Sequence, residues 1–250
     1  MDFNYIESFE GGIVIKNVRN FELPHIFDCG QCFRWDRKEN GNYIGVAFRR
    51  VIEVEKRDND VLLYNTSPQD FKEIWADYFD LYRDYDEIKK ILKKDPILKK
   101  AVEFGSGIRL LKQDPFELIV SFIISANNRI PMIKRALKKI SQRWGEPIKY
   151  RGETYYAFPK IEKLKDATME ELASCGTGFR NKYIMDTVRK IYYRGIENRQ
   201  NYDKSYDINW IKMQKDEICH KGLQKFMGIG PKVADCIMLF SMQKYSAFPV

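Results

Sequence analysis

The apolar and polar positions follow two patterns along the chain. Through the first third, short β-rich runs are separated by turn signals at short intervals, the mark of an antiparallel sheet. "GGIVIKNV" (11–18) is one such run and "QCFRWD" (31–36) another. The turn Glu39-Asn40-Gly41 leads into "NYIGVAFRRVIEVEKR", and Asp58-Asn59-Asp60 leads into "VLLYNT". Asn-Gly suits the positive φ values of a hairpin turn, so a meander of three or four strands is expected.

From Ser67 onward the signals are those of helices. Ser67-Pro68, Asp95-Pro96 and Asp114-Pro115 each pair a capping residue with a proline whose fixed φ fits the first helical position. Glu117 lies three residues after Asp114 and Glu171 three after Thr168, the spacing of a capping box. Gly105 and Gly195 suit helix ends. The expected architecture is α+β: an antiparallel, twisted β-sheet domain over 1–81 and an all-α domain over 82–250.

Composition narrows the class. With 44% hydrophobic and 14% aromatic residues the chain is globular, and its longest apolar run, around Leu118 to Ala126, is far short of the ~20 residues that span a bilayer. "MDFNYIESFE" has none of the features of a signal peptide, so a reducing compartment is expected and the five cysteines predict no disulfide framework. Cys29-x-x-Cys32 has the spacing of half a zinc site, but no second pair and only His25 and His220 accompany it, so no metal is expected.

Charge adds a location. Between Arg129 and Arg194 there are 16 Lys and Arg against 7 Asp and Glu, a balance of +9 in a chain whose total is +8. Such a segment is either a solvated helix face or a surface for a polyanion.

"MGIGPKVADC" (227–236) bears on that choice. "DEICHKGLQKF" before it reads as a short helix and Pro231 starts another, giving a helix-hairpin-helix at about 216–242. In the connection, Gly228, Ile229 and Gly230 leave backbone N–H groups at the second helix start able to hold a phosphate oxygen. Gly-x-Gly by itself is equally an ordinary helix–helix turn; the longer string is more specific. "GIGPKVADC" resembles the hairpin and catalytic-lysine motif of the helix-hairpin-helix DNA glycosylases, and within them the 8-oxoguanine DNA glycosylases. "CGQCFRW" (29–35), "GIRLLKQDPFELIVSFIISANN" (107–128) and "GTGFRNKY" (176–183) agree with that subgroup in order.

By position, the resemblance implies that Lys232 is the nucleophile that attacks the sugar C1′ and forms a Schiff base with DNA. An amine must be neutral to attack. A helix start contributes only roughly 0.3–1 kcal/mol toward that, so burial is expected to do most of the work. Cys236 shares a helix face with Lys232. A core cysteine is the default for such a position; the resemblance implies a place against the oxidised base and an electrostatic pairing with the lysine. It also implies that the carbonyl of Gly30 accepts the N7–H that distinguishes 8-oxoguanine from guanine, and glycine permits that approach.

Asn127, Arg180 and the wedge Phe179 match the positions that fill the vacated stack and hold the orphaned partner base. Members strict for cytosine use a second arginine after the Asn-Asn element. Here that position is Met132, with Arg129 nearby but out of register, so relaxed opposite-base preference is expected. The family pattern continues beyond Phe248-Pro249-Val250 with an aspartate and a helical segment that completes the base pocket. The expectation is therefore a piece of a longer, active protein, and impaired catalysis by these 250 residues alone.

The resemblance thus implies a base-excision repair glycosylase with lyase activity, acting as a monomer on double-stranded DNA containing 8-oxoguanine. No metal, organic cofactor or membrane is expected. The expected location is the cytoplasm or nucleoid of a bacterial or archaeal cell, or the nucleus of a eukaryotic one. The alternatives are a glycosylase of the same fold for other damaged bases and a non-catalytic DNA-binding fragment.

Overall fold

A computed structural model describes residues 1–197 and 199–249; Asn198 and Val250 lie outside the described residues. The chain divides into two compact units, Met1–Lys112 and Gln113–Val250.

In the first unit, β1 (Ile6–Phe9), β2 (Gly12–Ile15), β3 (Trp35–Arg37), β4 (Tyr43–Ala47), β5 (Arg50–Arg57) and β6 (Asp60–Tyr64) form one antiparallel sheet in the order β1-β2-β6-β5-β4-β3. The sheet has six strands rather than three or four, for two reasons. Ile6-Glu7-Ser8-Phe9 is too short and polar to announce a strand, yet it pairs with β2 across a turn whose Gly11 has φ +86°. β4 and β5 come from the single run "NYIGVAFRRVIEVEKR", folded at Phe48 and Arg49, both at positive φ without being glycine or asparagine.

Alternate residues Ile13, Ile15, Ile52, Val54, Val61 and Leu63 point from the sheet into one core. There α1 (Leu23–Phe27) supplies Phe27, stacked on Trp35 at 4.2 Å between centroids. The Trp35 indole donates to the Tyr78 hydroxyl at 2.8 Å. Tyr78 ends a helical segment made of α2 (Pro68–Asp70), a π-turn over Phe71–Trp75, and α3 (Ala76–Tyr78).

The sheet unit extends past the expected boundary at 81. α4 (Tyr85–Leu92), α5 (Pro96–Phe104) and the segment to Lys112 all belong to it. Arg109 is fully buried, pairs with the equally buried Asp2 at 2.8 Å, and donates to the carbonyls of Phe79 and Asp80. Removing either partner of such a pair leaves an uncompensated buried charge, which costs about 3–5 kcal/mol. Hydrophobic periodicity does not register a tie made by a charged residue.

The second unit contains α6 (Pro115–Ser125), α7 (Ile130–Trp144), α8 (Ile161–Leu164), α9 (Met169–Ser174), α10 (Asn181–Arg194), α11 (Ile208–Met213), α12 (Asp216–Leu223) and α13 (Pro231–Ser241). α6 is its centre: Leu118 to Ile124 are all buried, and Phe122 stacks on Phe240 of α13. The caps lie where the sequence places them. Ser67, Asp95 and Asp114 accept first-turn amides, and Thr168 with Glu171 forms the full reciprocal box.

The unit is not all-α. β7 (Pro147–Tyr150) and β8 (Glu153–Tyr156) form a hairpin around Arg151-Gly152, both at positive φ, inside the segment legible only as a charge run. Among the described residues no helix is long and apolar enough to cross a membrane.

Candidate nucleic-acid interface

The connection between α12 and α13 uses its two glycines differently. Gly228 has φ +85°, and a Cβ there would lie 2.7 Å from the Tyr183 side chain, so both backbone and space require glycine. Gly230 is the extended N-cap of α13 (φ −87°, ψ 178°), with open space where a Cβ would stand and no side-chain cap. Ile229 between them is buried. From α10, Asp186 accepts the Met227 N–H at 3.3 Å and pairs with Lys190 at 2.9 Å. The hairpin is thereby held from beneath, while the first-turn amides of α13 have no side-chain acceptor. That is the arrangement that receives an anion.

Lys232 stands in this first turn, and it is exposed. The expectation of a buried amine is not met: the first turn of α13 faces outward, and the helix packs through Ala234, Ile237 and Met238. Cys236, one turn further, is half-buried, and burial pushes its thiol up to about 11 against the smaller opposing pull of the Lys232 charge. It is therefore a neutral thiol near pH 7 rather than a thiolate paired with the lysine. His220 on α12 completes the local frame. Gln224 donates to its Nδ1 at 2.9 Å, leaving Nε2–H to donate to the Pro231 carbonyl at 3.2 Å.

A second group gathers where α6 meets α7. Ser125, Asn127, Asn128, Arg129 and Met132 line an open groove. Asn127 is exposed in the left-handed region at φ +49°. Arg129 is exposed at the N-cap of α7, and Met132 is 44% exposed. Arg180 behaves otherwise: it is buried, and its guanidinium donates to the carbonyls of Ala126 at 3.0 Å and Asn127 at 3.1 Å. It holds the turn that presents Asn127.

Phe179 is 57% exposed, with the Arg180 guanidinium 4.5 Å from its ring centroid. Its ring also meets Tyr183 edge-on at 5.9 Å. Tyr183 thus touches the exposed phenylalanine and also packs where a side chain at 228 would stand, linking the two groups. Tyr183 and Asp186 are not singled out by sequence reasoning, and His220 enters it only as a histidine weighed for a metal site. Only the aromatic at the end of "GTGFRNKY" offered a signal.

Gly30 belongs to the first unit, in the irregular loop between α1 and β3. Its φ is +86° and nothing lies within 4 Å of a Cβ placed there, so backbone conformation rather than crowding favours glycine. Cys29 and Cys32, on either side, direct their thiols to the carbonyls of Ile26 and Phe27.

An antiparallel-sheet unit and a helical unit with an open-ended hairpin, a first-turn lysine and a protruding aromatic define the helix-hairpin-helix class of base-excision proteins. The family comparisons give the same class. The HhH-GPD superfamily of base excision DNA repair proteins matches residues 120–245, and the N-terminal domain of 8-oxoguanine DNA glycosylase matches 13–119. The chain belongs to this family.

Among its relatives, the N-glycosylase/DNA lyase of Saccharomyces cerevisiae is 30% identical over 97% of this chain and 69% of its own length. The N-glycosylase/DNA lyase OGG1 of Arabidopsis thaliana is 29% identical over 91% of this chain. The chain spans 62% of that plant protein. The apo-form crystal structure of the Clostridium acetobutylicum 8-oxoguanine glycosylase/lyase superposes with a TM-score of 0.94 at 56% identity, covering 100% of this chain and 84% of that one. The same Clostridium protein is known in complex with double-stranded DNA containing cytosine opposite 8-oxoguanine, at the same TM-score and identity.

Proposed function

We propose that this protein is an 8-oxoguanine DNA glycosylase with lyase activity, and that Lys232 is its nucleophile. The observation that carries the reading is the position of Lys232: an exposed amine in the first turn of α13, beside amides without a side-chain cap, on a hairpin joined through Tyr183 to the protruding Phe179. Phosphate bound at the hairpin fixes the strand without reading sequence. Phe179 enters the stack as the damaged nucleotide leaves it, and Asn127, held by Arg180, faces the orphaned base.

The amine attacks C1′ as the bond from C1′ to the base breaks, and the departing base takes up a proton. The nitrogen then gives up one proton and the C1′–O4′ bond breaks, O4′ taking up a proton as its pair leaves, so that the sugar ring opens to a protonated Schiff base. Loss of a C2′ proton expels the 3′ phosphate and nicks the strand. Because Lys232 is exposed in the free chain, the extruded nucleotide itself must exclude the water that favours the charged amine. Gly30 offers its carbonyl to the N7–H of the oxidised base. No metal or organic cofactor enters any of these steps, and a monomer suffices.

Met132 stands where strict relatives carry an arginine, and Arg129, on the same groove, is out of register with that position. The protein is therefore expected to favour cytosine opposite the lesion about 10–100-fold less steeply than strict relatives, since it lacks one charged hydrogen bond worth about 1.5–3 kcal/mol. A panel of duplexes varying both lesion and opposite base measures this. Excision confined to cytosine would contradict the relaxed preference, and preference for an alkylated base would contradict the substrate.

A further inference from the structure

One side chain joins the string "CGQCFRW" to the string "GIRLLKQDP". Gln31 is 1% exposed. Its Nε2 donates to the carbonyls of Ile26 and Arg109, each at 2.8 Å, and its Oε1 accepts the Leu111 N–H at 3.0 Å. A buried amide with its donors and acceptor engaged on two separate backbone segments is a rigid tie, because releasing any one bond strands a buried polar group. The far segment is itself immobilised, since Arg109 is anchored to Asp2, Phe79 and Asp80.

The loop that carries Gly30 has a second anchor on its other side. The Tyr43 hydroxyl donates to Asp28, and burial together with that carboxylate pushes the phenol up to about 12. Gly30, at φ +86° and with no side chain to pack, has no means of fixing its own carbonyl. Its neighbours Asp28 and Gln31 are both anchored through their side chains.

We infer that Gln31 is a positioning residue that sets discrimination between 8-oxoguanine and guanine, by holding the Gly30 carbonyl in register against the Arg109–Leu111 segment. This rests on the reading of the Gly30 carbonyl as the acceptor for N7–H. A carbonyl displaced by a fraction of an ångström, or free to rotate, accepts that proton poorly while leaving every other contact to DNA intact.

The test compares the full-length protein with its Gln31→Met and Tyr43→Phe variants. Gln31→Met keeps the volume and removes the amide's hydrogen bonds to Ile26, Arg109 and Leu111; Tyr43→Phe loosens only the Asp28 anchor and leaves the core ring in place. Three affinities are read for each: duplex with 8-oxoguanine, duplex with guanine, and duplex with an abasic-site analogue, which has no base to read. For Gln31→Met the preference for 8-oxoguanine over guanine is expected to fall about tenfold or more, and for Tyr43→Phe by a smaller factor. Affinity for the abasic-site duplex is expected to stay within about twofold for both.

A wild-type protein without preference for 8-oxoguanine would overturn the Gly30 reading itself. Preference present in the wild type and retained in a folded Gln31→Met variant would overturn this inference alone. A parallel loss of abasic-site binding would overturn it too, by showing a general structural role. Should Gln31→Met fail to fold, the same three affinities are read for Gln31→Asn, whose shorter amide cannot span both backbone segments; unchanged preference in that variant overturns the inference.

Discussion

At the scale of the residue, the site is a set of groups whose state is decided by their immediate surroundings. Cys236 is the clearest case: burial pushes its thiol up to about 11, so the neutral form dominates below that pH. Residue-specific alkylation followed by mass spectrometry is expected to show Cys236 modification still climbing about tenfold per unit between pH 8 and 10. A plateau below pH 9 would mean a thiolate stabilised by Lys232 and would restore the ion-pair description. The candidates named from "GIGPKVADC" and "GTGFRNKY" lie on the surface or just beneath it, but their roles were only partly legible. Arg180 is buried and bonded to carbonyls of the turn before α7 because the guanidinium's planar fork fits two adjacent carbonyls. Nothing in a linear string shows which acceptor a donor will find.

At the scale of the element, the sequence was most informative where local chemistry alone decides. Helix starts at Ser67, Asp95, Asp114 and Thr168 and the hairpin between α12 and α13 were readable from two or three letters. Elements set by partners distant in sequence were not. β1 exists because β2 offers it an edge, and the β4–β5 turn carries Phe48 and Arg49 because the flanking strands impose the geometry.

The hairpin yields a paired prediction. Gly228→Ala is expected to cost about 1–3 kcal/mol of stability, from positive φ and the clash with Tyr183. Gly230→Ser, at an extended N-cap with open space, is expected to leave thermal stability unchanged or slightly raised while weakening duplex binding. There the new hydroxyl caps the amides that phosphate needs. Thermal melting and duplex titration check both; a Gly230→Ser variant that binds as tightly as wild type would contradict the phosphate grip.

At the scale of the whole molecule, two compact units come from one continuous chain whose signals turn from sheet to helix. The boundary at Lys112 rather than 81 reflects the buried pair of Arg109 and Asp2, whose partners lie at opposite ends of the first unit's sequence. Family membership rests on both units, since separate family descriptions match 13–119 and 120–245. The +9 segment from Arg129 to Arg194 lies wholly in the second unit, as do Asn127's groove, Phe179 and the hairpin, which favours the polyanion reading of that charge.

Lys232 is expected to become covalently joined to damaged DNA. Borohydride added to the full-length protein with a duplex containing 8-oxoguanine reduces a Schiff base to a stable amine, and the adduct is then mapped by peptide mass spectrometry. An adduct on Lys232 is expected, falling to background in Lys232→Gln while that variant still binds the duplex. An adduct formed to the wild-type extent by Lys232→Gln, or one mapped to a different lysine, would contradict it.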